Sequence, residues 1–502
     1  MWKIFLFCFV FLSFLLPWDR FSDPDIFYHA KISQIIWSEG ALSTFSWLDL
    51  TSFHQTFADQ HFLFHVIESP FVSFFGLYDG ARLVTIVLAS LFLCVLFASF
   101  RCIGIRRPLM WTGLVLATAP FLMRLTLGKA TSLALIWFVL GLVCVWKRKP
   151  WFAMGVGILF ALTHGGWVYL LGSVILLGIG DALYRVVVEE RRFKDGLLLK
   201  EVLFSFFGVA IGLVIHPNFP HNIQFLWIQI VKIGLGTPFA HVMLGSEWRP
   251  ATVSLVVSWL SLWIIIVLMS LWKFLQAEKI VPNKKAMHAS IAFALPVAGL
   301  LALTFKSRRS LEYLVPALAL WVPWLWMIIF EKGEAKKKEQ KFALFSKRNI
   351  LYATFLFLII YNLGGIVTAL RHGKYHDDLY RDVMAPVSER LSDGDRIFHS
   401  DWDEFPILWS LEPRARYVAG LDPTFLYTAS SSLSDAYRDL TWLRTASSTT
   451  DEAWDLIHNR LGARFVFIDK DDHQSFFDLI ASDPRYHILL ETDEAVTFEI
   501  VE

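Results

Sequence analysis

Ser22-Asp23-Pro24-Asp25-Ile26-Phe27-Tyr28-His29 stands just past an apolar run, Met1 to Trp18, whose one charge is Lys3. The run ends in Pro17, Trp18, Asp19 and Arg20 and offers no small-x-small cleavage site, so it reads as an uncleaved first membrane span. Pro24 holds the residue before it extended and suits the first turn of a helix. Asp23 is then expected to cap that helix, with Asp25 in its first turn and His29 on the same face, four residues on. A capped helix is the plain structural reading. Carboxylates at a membrane boundary are costly unless they serve a site. Asp25, and Asp23 after it, are therefore candidate catalytic residues.

The composition sets this stretch in a membrane protein. Of 502 residues, 55% are hydrophobic and 18% charged, with 45 Phe and 21 Trp. A soluble chain carries about a quarter charged residues, and a single soluble core stops growing near about 300 residues. A soluble enzyme, a disordered chain and a nucleic-acid binder are excluded as the whole protein. Residues 371–502 hold 26 Asp and Glu against 13 Lys and Arg, a net charge of −13. That leaves 19 acids and 33 bases, +14, in residues 1–370. A basic membrane part (1–370) thus precedes an acidic tail (371–502). Cys8, Cys94, Cys102 and Cys144 lie in or beside apolar runs, in no disulfide or metal-type pattern.

Further apolar runs lie near 81–100, 109–123, 130–146, 151–163, 167–183, 201–216, 251–275, 287–304, 311–330 and 349–369, giving about eleven expected spans. The segment 62–78 carries His65, Glu68 and Pro70 and reads as a surface or re-entrant helix. Basic residues cluster at Arg101/Arg106/Arg107, Lys147/Arg148/Lys149, Arg185–Lys200, Lys273–Lys285 and Lys332–Arg348. With eleven spans all of these fall on Lys3's side, which is then cytoplasmic. The loop 19–80, the segment 216–250 and the tail face outward. The expected location is the plasma (inner) membrane, with the N-terminus cytoplasmic and the C-terminal domain extracytoplasmic.

The first outward loop, about sixty residues, is acidic and aromatic, and loops this long are usually functional. Within it, Asp59, His61 and His65 of Phe57-Ala58-Asp59-Gln60-His61-Phe62-Leu63-Phe64-His65 read either as a polar site held against the bundle or as headgroup-level histidines. His29, Asp59 and His61 are the candidate acceptor-site residues. HFLFH lacks the Glu that metalloprotease HExxH motifs use as a base. Six bases break the positive-inside pattern: Arg124, Lys129, Arg249, Lys306, Arg308 and Arg309. Outward bases at a membrane boundary suit an anionic ligand, Arg especially a phosphate; snorkelling anchors, or pairing of Arg308/Arg309 with Glu312, are the plain alternatives. In the tail, β-like runs at 396–399, 415–418, 464–468, 486–490 and 496–501 alternate with helical patterns, which implies a small α/β domain.

Taken together, the inside N-terminus, the acidic motif Asp23-Pro24-Asp25 with Phe27-Tyr28-His29 directly after the first span, the multi-span body and the outward C-terminal domain resemble the GT-C superfamily of polyprenyl-phosphate-dependent glycosyltransferases, which includes oligosaccharyltransferase catalytic subunits, protein O-mannosyltransferases and aminoarabinose transferases. The resemblance implies a catalytic Asp here, acting as base, orienting the acceptor or binding a divalent cation (Mg or Mn) through Asp23 and Asp25. It also implies a donor phosphate near Arg308-Arg309 and Glu312-Tyr313. The tail lacks the WWD-type motif of oligosaccharyltransferases, offering Ser400-Asp401-Trp402-Asp403, and the chain lacks the β-trefoil pattern of O-mannosyltransferases, which leaves the branch open. The implied partners are a polyprenyl-phosphate sugar donor, membrane lipids and a glycan, lipid or protein acceptor. A lipid-linked-sugar transporter or flippase would show two related halves and helices broken at mid-membrane, and no such repeat is visible. A non-catalytic envelope-assembly subunit is the third reading.

Overall fold

The computed structural model describes residues 1–190, 198–235, 245–276, 283–330, 347–444 and 449–501. The basic clusters at Arg185–Lys200, Lys273–Lys285 and Lys332–Arg348 fall partly outside these residues. The body is helical. Four helices are long and apolar enough to cross a membrane: Leu77–Ile103, Trp167–Val188, Lys284–Thr304 and one over Arg308–Ile329. Two further pairs, Pro108–Leu116 with Ala119–Leu125 and Val253–Trp259 with Ser261–Leu275, bend by 82° and 84° at short breaks; counted as one span each, they bring the number to six among the described residues.

By helix length and composition the described residues hold four to six such spans, so the expected count of about eleven is not reached among them. Runs expected to cross, such as Trp2–Leu15, Thr131–Trp146 and Pro150–Thr163, form helices of 14, 16 and 14 residues. At 1.5 Å per residue these fall short of the roughly 30 Å hydrocarbon core. Their ends show why. The chain leaves the helix at Leu125 and again at Thr163, in each case to deliver polar residues, Thr126–Ala130 and His164–Gly166, to the site described below.

The tail carries a five-stranded sheet of β3 (Arg396–His399), β4 (Arg416–Tyr417), β5 (Phe465–Asp469), β6 (Tyr486–Glu491) and β7 (Ala495–Ile500), in the order β4-β3-β5-β7-β6. β3 is parallel to β4 and β5; β7 is antiparallel to β5 and β6. All five residues of β5 are buried, as an apolar central strand requires.

Loop and tail form one body. β1 (Arg20–Phe21) pairs antiparallel with β2 (Tyr375–His376). Arg82 holds Asp377 through two hydrogen bonds of 2.7 and 3.2 Å while its guanidinium lies 4.0 Å from the Phe21 ring. Phe27, Tyr28, Phe45 and Phe57 of the loop share an apolar core with Phe405, Trp409 and Tyr417 of the tail. Each such ring contributes about 2–3 kcal/mol by leaving water. Trp47 Nε1 donates to Pro413 O at 2.7 Å, and Arg396 and Arg416 both hold Asp49. The aromatic richness of the loop is thereby explained: it is the filling between helices and tail.

Candidate active site

The helix Asp25–Glu39 begins where Pro24 placed it, and Asp23 Oδ1 accepts the Asp25 backbone N–H at 3.0 Å. Asp23 Oδ2 and Asp25 Oδ2 both contact Lys129 Nζ, at 2.9 and 2.7 Å. Lys129 reaches them because Gly128, at φ +72°, turns the chain against Ile26; a Cβ on Gly128 would lie 2.4 Å from Ile26 Cδ1. The side chains of Lys129, Asp23 and Asp25 are 14%, 19% and 33% exposed. Burial raises the Asp23 carboxyl, and Lys129 opposes that shift.

Beside this centre lies a second ionic group. Arg124 contacts both Glu312 and Glu247, the latter at 2.6 Å, and Arg309 contacts Glu247 Oε1 at 2.6 Å. Burial alone would raise the Glu247 carboxyl, but Arg309, Lys129 and Arg124 hold it well below the usual carboxylate range. Arg309 also lies over the Trp248 ring at 4.6 Å.

A third group is a buried chain of imidazoles. Asp59 Oδ2 meets His65 Nδ1 at 2.8 Å, and His65 Nε2 meets His29 Nδ1 at 2.7 Å. With Asp59 ionised and one proton on each ring, the donors run His29 to His65 to Asp59, which leaves His29 Nε2 as an acceptor. Burial and the neighbouring histidines push His29 and His61 well below the usual imidazole value. Burial and Arg309 push His164 down to about 3. All three rings are therefore neutral at neutral pH. Asp59 is itself fixed: it accepts His61 N–H on Oδ1 at 3.0 Å and His216 Nε2 on its backbone carbonyl at 3.0 Å. Burial would raise its carboxyl, but His65 and His61 draw it below the ordinary value.

These three groups line one polar cavity of about 520 Å³, closed on the tail side by Trp402, Asp403 and Asp422. His61, His164, Gln229, Trp248, Arg309 and Glu312 also line an adjoining, mostly apolar groove of about 470 Å³ between the helices Trp167–Val188 and Lys284–Thr304. Gly172 lies on its wall, where an added Cβ would meet nothing within 4 Å.

Of the residues singled out in the sequence, Asp23, Asp25, His29, Asp59, His61, Arg124, Lys129 and Arg309 all line the cavity. Arg308 does not; its Nε donates to Pro250 O at 3.4 Å. Lys129 lies on the two aspartates, and Glu312 pairs with Arg124 rather than with Arg308 or Arg309. Sequence reasoning passed over His164, Glu247, Asp403 and Asp422. His164-Gly165-Gly166 did carry a signal, a polar break between two short apolar runs. Asp23 and Asp25 would be the ligands of a divalent cation, but both already hold an ammonium. Among the described residues no group of three or more His, Cys, Asp or Glu converges in metal-ligating geometry.

No protein-family model matches the sequence, and no curated protein matches it. Solved structures do match in fold. The apo oligosaccharyltransferase of Archaeoglobus fulgidus superposes with a TM-score of 0.62 at 11% identity, over 97% of this chain and 72% of that one. The same enzyme in complex with Zn and sulfate gives a TM-score of 0.58 at 12% identity, over 99% and 73% of the two chains. This chain therefore has the fold of that oligosaccharyltransferase, from its first helix into its C-terminal sheet.

Proposed function

We propose that the chain is an integral membrane glycosyltransferase that moves a sugar from a polyprenyl-phosphate-linked donor to an acceptor on the outward membrane face. One observation carries this reading: a charged cavity of about 520 Å³ runs into an apolar groove of about 470 Å³ through shared walls. A lipid-linked sugar has that form, a polar head with an anionic leaving group on a long apolar tail. The likeness in fold to an oligosaccharyltransferase supports it.

The chemistry follows from the residues. The acceptor hydroxyl or amine attacks the anomeric carbon, the bond from that carbon to the phosphate oxygen breaks, and the acceptor proton passes to a base. Asp25 is that base: one of its oxygens is on Lys129, and the other has no protein partner among the described residues. Negative charge collects on the departing phosphate. Arg309 and Arg124 bracket one carboxylate, that of Glu247, and a phosphate oxygen takes the same place. The side of the membrane is part of the proposal: loop, cavity and tail all face outward.

The test is release of sugar, radiolabelled, from polyprenyl-phosphate donors by the detergent-purified chain in the presence of a membrane extract. Wild type releases the label, and Asp25→Asn loses about a hundredfold or more while keeping wild-type expression. Full activity in Asp25→Asn would overturn the base assignment. No release from any donor would overturn the glycosyltransferase.

A further inference from the structure

We propose that Lys129 is the resident cation of the Asp23–Asp25 pair and that the centre takes no divalent ion. The proposal deepens the reading above, on which the role of Asp25 as base rests, but the ion chemistry stands on geometry alone.

A divalent cation between two carboxylates needs their facing oxygens free and further ligands around them. Here the two facing oxygens, Asp23 Oδ2 and Asp25 Oδ2, close on one Nζ at 2.9 and 2.7 Å. The second oxygen of Asp23 accepts the Asp25 backbone N–H, so both of its oxygens already have a partner. Among the other charged groups lining the cavity, Arg124 and Arg309 repel a divalent ion, and Glu247 and Glu312 are already held by those arginines.

The loop that carries Lys129 is built for this contact. Gly128 takes a backbone conformation that side chains disfavour and touches Ile26, the residue after Asp25. Ser132 Oγ then ties the far side of the turn to Leu125 O at 2.9 Å. The ammonium is mostly buried, and the two carboxylates hold its proton far more tightly than water does. Unlike a metal, a lysine cannot dissociate. It sets one fixed positive charge between two adjacent carboxylates and engages only Oδ2 of Asp25.

The experiment is Mn²⁺ titration of the full chain in detergent, followed by electron paramagnetic resonance of free Mn²⁺. Wild type and Asp25→Asn take up Mn²⁺ alike, with no site that depends on Asp25. Lys129→Ala removes the ammonium and gains a site at least about tenfold tighter than wild type; adding Asp25→Asn to that variant loses it. Asp25-dependent Mn²⁺ binding by wild type would overturn the proposal, and so would a folded Lys129→Ala that gains no site. Lys129→Met, closer in volume, stands in if the alanine variant does not fold, and the wild-type comparison decides without either. Sugar release from any accepted donor is predicted to survive a chelator; failure to find a donor leaves the titration result intact.

Discussion

Asp403 shows how burial and two carboxylates beside it in sequence reset one residue's chemistry. It lines the polar cavity next to Trp402, and burial together with Asp401 and Glu404 pushes its carboxyl up to about 8. In the unfolded chain the same group titrates near about 3.9. The folded state therefore binds this proton more tightly, so the stability it contributes is full below about pH 4 and is lost as pH rises to about 8. His473 adds to the same trend. Burial alone would lower it, but Asp401 and Glu404 hold it up at about 9, so its contribution is lost between about pH 6.5 and 9. The thermal midpoint is predicted to fall from pH 6 to pH 9, and Asp403→Asn, neutral throughout, to make that fall shallower. Parallel curves for variant and wild type would show that Asp403 carries no such proton. At this scale sequence reading placed Asp23 and Asp25 at a helix start, because the constraint Pro24 imposes is local. It could not pair Lys129 with them, since nothing local links positions a hundred residues apart.

The apolar groove belongs to two elements, the helices Trp167–Val188 and Lys284–Thr304, and its width is set by small residues on both. Gly299 faces Leu176, where an added Cβ would stand 2.6 Å from Cδ1, whereas Gly172 faces open space. Gly172→Phe is therefore tolerated by the fold but fills the groove. Its predicted effect is about a tenfold or greater loss of sugar release from long-chain polyprenyl donors, with a much smaller loss for short-chain donors and an unchanged thermal midpoint. An equal loss for both chain lengths would place the tail elsewhere. The positions of these helices were readable from hydropathy, because an apolar run is a local signal. Both are long and apolar enough to cross a membrane. Runs such as 130–146 and 151–163 stop short where they hand the chain to the site, and composition alone cannot distinguish a full crossing from a helix cut back for a polar loop. In the tail, strand-helix alternation was equally local, and the structure has strands or helices at each of the segments it indicated.

In the molecule as a whole, the tail and the first loop are held together by β1–β2 pairing, by the Arg82–Asp377 contact and by a shared aromatic core, with the cavity between them and the helices. A site built this way needs the tail and residues 19–80 on one side of the membrane, whatever the number of spans. The loop 104–107 and the turn at Lys147–Lys149 lie at the far ends of helices that start at this face: Leu77–Ile103 begins beside the loop, and Thr131–Trp146 begins two residues after Lys129. On the outward orientation proposed above, Lys147 and Ser432 sit on opposite sides, with the basic residues inside. Ser432 and Lys147 are both exposed, so a cysteine at either is accessible to reagent. In a background with Cys102 replaced by Ser, Ser432→Cys is predicted to react with a membrane-impermeant maleimide in sealed right-side-out vesicles. Lys147→Cys is predicted to react only after the vesicles are permeabilised. Labelling of both before permeabilisation would break the link between cavity and outward face. Labelling in the reverse order would turn the site toward the cytoplasm, where the donor sugar would have to be used before its lipid is flipped.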